Sequence, residues 1–176
     1  KGTKNFATSA DDIGNLPLEV CETINGSWGF NLQDRKHKSE KELVQYLVKA
    51  AGYGSNLLLN VGPMPNGKIQ EEHIESLKKI GKWIKHNGQT IYNTKRGPIA
   101  PSDEIASTQN GNIIYIHLLD NKKLEYNIEG FNSKFKKITY LNSGKKVSIE
   151  KSKEGLSIFL DDKEIDHIDT ILKMEL

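Results

Sequence analysis

With 176 residues, 36% hydrophobic and 27% charged, the chain carries apolar material for one moderate core or two small ones and reads as a soluble globular sequence. Its formal net charge of +2 comes from 25 Lys and Arg against 23 Asp and Glu scattered without long blocks, which argues against a phosphate-tracking surface and against nucleic acid as a partner. The single cysteine, Cys21, excludes an internal disulfide framework, and no apolar run approaches the roughly 20 residues that span a bilayer, so no membrane partner is expected.

The first organised stretch runs from Leu18 to Gly67, and its opening part ends in an aromatic-glycine turn, Gly26-Ser27-Trp28-Gly29-Phe30. From Ser39 the pattern is helical. Ser39 can cap, Glu42 sits three residues on as in a capping box, and Leu43, Val44, Leu47 and Val48 share one face. Gly52 and Gly54 stop the helix. Ser55 to Val61 follows with Leu57, Leu58 and Leu59 in an unbroken run, which suits a strand buried on both faces of a parallel sheet. A turn from Gly62 to Gly67 leads to a second helix from about Glu71, with Ile74, Leu77, Ile80 and Ile84 on one face and Trp83 at its edge, all reading as packing residues; Asn87-Gly88 is the exit.

Beyond about Gly97 the helical period gives way to short alternating segments. Strands are predicted from Asn112 to Leu119, Lys123 to Ile128, Phe135 to Leu141, Lys146 to Glu150, Leu156 to Leu160 and Thr170 to Leu176, with turns such as Asp120-Asn121 and Ser143-Gly144 between them. That spacing indicates an antiparallel sandwich. Gly97, Pro98 and Pro101 mark a linker from Asn93 to Ser102, so the chain divides into an α/β region over residues 1–96 and an all-β region over 97–176.

Three motifs carry a family resemblance. Pro17-Leu18-Glu19-Val20-Cys21-Glu22-Thr23-Ile24-Asn25-Gly26-Ser27-Trp28-Gly29-Phe30 resembles the PWExCxTINxSWGY signature of retaining α-L-fucosidases, glycoside hydrolase family 29. Gly54-Ser55-Asn56-Leu57-Leu58-Leu59-Asn60-Val61-Gly62-Pro63 is similar to their GGNLLLNIGP, and Asn87-Gly88-Gln89-Thr90-Ile91-Tyr92 to their NGEAIY. The resemblance implies the C-terminal portion of a catalytic (β/α)8-type barrel over 1–96 followed by a C-terminal β-sandwich over 97–176. A full barrel takes roughly 250 residues, so the upstream barrel portion of the same protein is an expected partner.

The same resemblance implies the chemistry. Retaining glycoside hydrolysis uses a carboxylate nucleophile and a carboxylic acid/base around an oxocarbenium-like transition state, and it requires no metal or other cofactor. The family's nucleophile is an aspartate on an earlier barrel strand, expected upstream of Lys1. Its acid/base sits in a segment reading like DFxTPE, shortly before PWE. The corresponding stretch here is Asn5-Phe6-Ala7-Thr8-Ser9-Ala10-Asp11-Asp12, and an ungapped register puts Ala10 at the glutamate position. A slip of one or two residues gives the role to Asp11 or Asp12; either can equally be a solvated turn carboxylate. Glu19 matches the PWE glutamate, with loop orientation or charge pairing as its other reading. Trp28 matches the aromatic that lines the fucose pocket, where its face can cover the C5-methyl side of the sugar; the competing reading is a core tryptophan. Asn56 and Asn60 flank a buried strand and are expected to bond loop backbone rather than substrate.

His37, His73, His86, His117 and His167 lack the paired spacing of a metal-binding helix or finger, so no metal is expected. Asn25-Gly26-Ser27 matches a glycosylation sequon, but a glycan there would obstruct the motif, and it reads as accidental. Tyr115, Tyr126 and Tyr140 raise a sugar-binding face on the sandwich against plain strand packing. Two functions follow: an exo-acting α-L-fucosidase taking fucosylated glycans or oligosaccharides, or a non-catalytic fucose-binding or interaction protein on the same scaffold that has lost its acid, as Ala10 suggests. The Lys-, Asn- and Ile-rich composition points to a bacterial, secreted or periplasmic protein, its signal lying upstream of this chain.

Overall fold

The computed structural model describes residues 17–176. It opens with a βαβ unit: β1 (Leu18–Thr23), α1 (Glu40–Gly52) and β2 (Ser55–Asn60), the strands parallel and in register from Leu18 opposite Ser55 to Thr23 opposite Asn60. The helix starts where its capping box dictates. Ser39 Oγ accepts from the Glu42 N–H at 3.2 Å, and the Glu42 carboxylate accepts from the Ser39 N–H at 2.7 Å. Such a cap is worth about 1 kcal/mol. Gly54, with φ of +74°, takes the left-handed turn into β2 that a side chain would resist.

The second helix, α2 (Glu71–Asn87), buries only part of the stripe read from its sequence. His73, Ile80, Trp83 and Asn87 are buried, whereas Leu77 is 39% exposed. Trp83, at the edge of that stripe, is a core residue. Leu77, Ile80 and Ile84 instead line a cavity of about 790 Å³ beside β2, together with Leu57, Leu59 and Glu19. Their apolar stripe faces space that no described residue fills.

Eight further strands complete the described residues. β3 (Lys95–Arg96), β4 (Ile105–Asn110), β5 (Ile113–Leu118), β10 (Thr170–Glu175) and β7 (Lys137–Tyr140) form an antiparallel sheet in the order β3-β4-β5-β10-β7. β6 (Glu125–Glu129), β9 (Gly155–Phe159) and β8 (Ser148–Lys151) form a second sheet, ordered β6-β9-β8. The sheets enclose one core of Ile114, Ile116, Leu118, Tyr126, Ile138, Tyr140, Leu156, Ile158, Leu172 and Met174. This is a sandwich. The opposite face of the five-stranded sheet presents Ala106, Tyr115 and Ile171 to Leu43, Val44, Val48, Ile80 and Trp83 of the two helices. A sheet covered on both faces needs apolar side chains on both, hence the nearly unbroken Ile113-Ile114-Tyr115-Ile116 of β5. Tyr115, Tyr126 and Tyr140 are at most 4% exposed, so they pack in the cores and form no sugar-binding face.

Polar bonds fix the helices on this sheet. Gln45 Nε2 donates to Leu119 O at 2.7 Å and Ile168 O at 2.9 Å. His117 Nδ1 and Asp169 Oδ2 meet at 2.6 Å with both side chains fully buried. β3 lies before residue 97, yet its Lys95 and Arg96 pair with Gln109 and Thr108 of β4.

Candidate functional site

Parallel strands gather their following loops at one edge, and here the 24–38 loop after β1 and the 61–70 loop after β2 meet there. In α/β folds that edge is where ligands bind. The 24–38 loop is closed at its neck by Lys38. Its N–H donates to Ile24 O at 2.8 Å, and its ammonium donates to Thr23 O at 2.7 Å, Asn25 O at 3.2 Å and Glu22 Oε1 at 3.2 Å. Thr23 Oγ1 also donates to Asn25 O. Farther out, Asp34 Oδ2 accepts from the Gly26 N–H at 2.8 Å. Hydrogen bonds from the Ser27 hydroxyl and the Gly26 N–H hold the Asp34 carboxyl below the usual carboxylate range.

Trp28 stands on this loop with 59% of its surface exposed. It is not a core residue. Asn60 Nδ2 donates to Trp28 O at 2.7 Å, so the end of β2 holds the backbone from which the indole projects. Gly62 makes the second contact between the loops: a Cβ there would lie 2.5 Å from Gly29 C and 2.6 Å from Phe30 N. Asn60 bonds loop backbone as its sequence position implied. Asn25 is 3% exposed, which removes the sequon asparagine from solvent.

Glu22 belongs to the scaffold of the loop. Burial alone would raise its carboxyl, but hydrogen bonds from the Thr23 N–H, Tyr46 and Lys38 outweigh that and hold it below the usual range. Tyr46 is pushed up to about 12 by burial and by its bond to Glu22. Glu19 is not brought near Trp28. It stands second in β1, about 13 Å of strand before the Thr23 end. With Cys21, Asn56 and Leu58 it occupies a sheet face that is open among the described residues, Leu58 being 47% exposed. The double-sided burial expected for β2 is therefore not met by described residues. Asp11 and Asp12 lie outside them.

Beside the loop, His37 and His73 pack edge to face with ring centroids 5.2 Å apart. His37 Nε2 and both His73 nitrogens are buried with no hydrogen-bond partner among the described residues. Burial and the neighbouring His37 lower the His73 pKa from its ordinary value, against the pull of Glu72 and Asp34. Among the described residues, no three His, Cys, Asp or Glu side chains group as metal ligands. Sequence reasoning missed Lys38 and Asp34. Neither carries a periodic or motif signal, because each acts through backbone groups that only the folded loop brings to it.

Residues 4–89 match the family model described as Alpha-L-fucosidase. A bovine (Bos taurus) protein, tissue alpha-L-fucosidase, is 32% identical over 152 residues, covering 81% of this chain and 32% of its own. The structure of alpha-L-fucosidase isoenzyme 1 from Paenibacillus thiaminolyticus superposes with a TM-score of 0.80 at 30% identity, over 92% of this chain and 40% of that one. The Thermotoga maritima alpha-fucosidase in complex with fucose gives a TM-score of 0.81 at 27% identity, again over 92% and 40%. The chain thus spans about a third of the bovine relative and two fifths of the solved structures. It has the sequence pattern and the fold of a portion of an α-L-fucosidase.

Proposed function

We propose that this chain is the C-terminal part of an exo-acting, retaining α-L-fucosidase, which hydrolyses terminal α-L-fucose from glycans. One observation carries the reading: an exposed tryptophan, Trp28, stands on backbone held by the end of β2, through Asn60 at its carbonyl and Gly62 against Gly29 and Phe30, at the carboxyl edge of two parallel strands. An indole left in water and rigidly held suits the apolar face of a deoxysugar. Trp28 would cover the C5-methyl side of fucose in this role.

The finer architecture follows the same reading. β1 and β2 are each paired on one edge only among the described residues, one face of the pair is open, and an apolar cavity lies beside β2. Parallel strands are normally covered on both faces, so these strands and α1 and α2 would be the closing units of a (β/α)8-type barrel, with the 97–176 region as its C-terminal sandwich. The upstream barrel portion would fill the cavity and supply the nucleophilic aspartate. Asp11 or Asp12 would serve as acid/base, protonating the leaving oxygen and then activating water. Glu19, a strand length away from Trp28, would support the barrel interior rather than the reacting bond. Fucosylated glycans in a secreted or periplasmic bacterial setting are the expected substrates.

The test is turnover of an aryl α-L-fucoside by the full-length protein. Asp11→Asn or Asp12→Asn should lower kcat at least a hundredfold for whichever residue is the acid/base, consistent with the usual worth of general acid catalysis, on the order of 10²–10⁴-fold. Ala10 at the family's glutamate position favours a second reading, a fucose-binding protein without turnover. Binding of L-fucose with no hydrolysis by the full-length protein would select it.

A further inference from the structure

We propose that Lys38 is the positioning residue of this site, setting the Trp28 indole against the sugar by clasping the neck of the loop that carries it. The inference rests on Trp28 lining the sugar pocket and adds the residue that holds it there.

Lysine has three ammonium hydrogens, and here each has its own acceptor: Thr23 O at 2.7 Å, Asn25 O at 3.2 Å and Glu22 Oε1 at 3.2 Å. Its backbone N–H closes on Ile24 O at 2.8 Å. One residue at the end of the 24–38 loop therefore binds four consecutive residues at its start, Glu22, Thr23, Ile24 and Asn25. Loops whose ends are joined in this way behave as compact units and not as tethers. Asn25 is followed by Gly26, whose N–H is held by Asp34, and Trp28 lies two residues beyond; the clasp thus fixes the backbone from which the indole leaves.

The electrostatics make the clasp hard to replace. The Lys38 and Glu22 side chains are only 27% and 18% exposed. Without the ammonium, two strand-end carbonyls and the Glu22 carboxylate lose a charged donor in a site that water only partly reaches. Arginine keeps the charge, but its planar fork does not converge on three acceptors around one nitrogen, so Lys38→Arg should restore part of the function only. Asn60 holds the loop farther along at Trp28 O, and β1 and β2 pair over six residues independently of Lys38, so loss of Lys38 should displace the indole without unfolding the strand pair.

The experiment is a double-mutant cycle on the full-length protein, reading the dissociation constant of L-fucose by calorimetry and, where turnover is present, KM and kcat on an aryl α-L-fucoside. Lys38→Met should weaken L-fucose binding about tenfold, as expected for lost hydrogen bonds to a charged group, with KM rising and kcat nearly unchanged. Lys38→Arg should fall between the two. In a Trp28→Ala background Lys38→Met should cost less than about twofold, because the group through which it acts is gone. An equal loss in both backgrounds would overturn the proposal, as would unchanged binding in Lys38→Met when Trp28→Ala weakens it. If Trp28→Ala itself leaves L-fucose binding unchanged, the pocket reading fails and the proposal with it. Should Lys38→Met fold poorly, the fluorine resonance of Trp28 in 5-fluorotryptophan-labelled full-length protein, assigned by its loss in Trp28→Phe, decides in Lys38→Arg: a shifted or broadened line supports the clasp, and an unchanged line overturns it.

Discussion

The side-chain amide of Asn60 donates to the backbone carbonyl of Trp28 at 2.7 Å, tying the end of β2 to the loop that follows β1. This contact and the close approach of Gly62 to Gly29 make one surface of two loops that are more than 30 residues apart in sequence. Asn60→Ala should remove one hydrogen bond worth about 1 kcal/mol and leave Trp28 O to water. A small fall in Tm with a shift of the Trp28 fluorine resonance in 5-fluorotryptophan-labelled protein, assigned by its loss in Trp28→Phe, is the expected outcome.

Gly62→Ala should be worse tolerated than its size implies. The added Cβ would lie 2.5 and 2.6 Å from backbone atoms of Gly29 and Phe30, which have no flexible end to move aside. A cost of about 1–3 kcal/mol in urea unfolding is expected, together with weaker L-fucose binding. A neutral Gly62→Ala would mean that the two loops are not held in contact.

The His117–Asp169 pair anchors the five-stranded sheet beneath α1. Both side chains have no solvent exposure, and burial pushes the Asp169 carboxyl up while His117 beside it pulls the other way. Removing one partner strands the other in an apolar layer, so His117→Ala or Asp169→Ala should each cost about 3–5 kcal/mol. The double replacement His117→Phe with Asp169→Val should cost less than the sum of the single changes, as denaturant titration would show.

Acid should loosen the site before it loosens the sandwich. The His73 pKa is lowered in the folded protein, so the folded state binds fewer protons than the unfolded one. Its contribution is complete above the unfolded value of about 6.5 and is lost as pH falls through the folded value. Glu22 has the same sign at lower pH: its contribution is present above about 4.5 and is lost as pH falls through its lowered folded value. Tm measured against pH should therefore decline below about 6.5, and His73→Phe, which keeps an aromatic ring against His37, should flatten the first part of that decline.

Some of this was legible in the sequence for physical reasons. The Ser39 and Glu42 capping box is local, so it fixed the start of α1, and the alternation in β6 and β7 is the direct trace of a two-sheet core. β4 was not legible: Ile105-Ala106-Ser107-Thr108-Gln109-Asn110 has no apolar alternation, because Ser107 and Thr108 are buried through hydrogen bonds to Ile99 and Thr90. Trp83 and Ile80 pack as the stripe of α2 implied, but periodicity does not say which part of a stripe meets neighbouring chain, and Leu77 is left 39% exposed. At the site, Trp28 was found by its motif, whereas Lys38 and Asp34 bind backbone atoms and leave no pattern of side-chain types.

The most direct test of the central claim is proton NMR of an aryl α-L-fucoside incubated with the full-length protein, following which fucose anomer appears first. A retaining fucosidase releases α-L-fucose before mutarotation, and Trp28→Ala should slow that release at subsaturating substrate. First appearance of β-L-fucose, or an absence of hydrolysis by protein that still binds L-fucose, would contradict it.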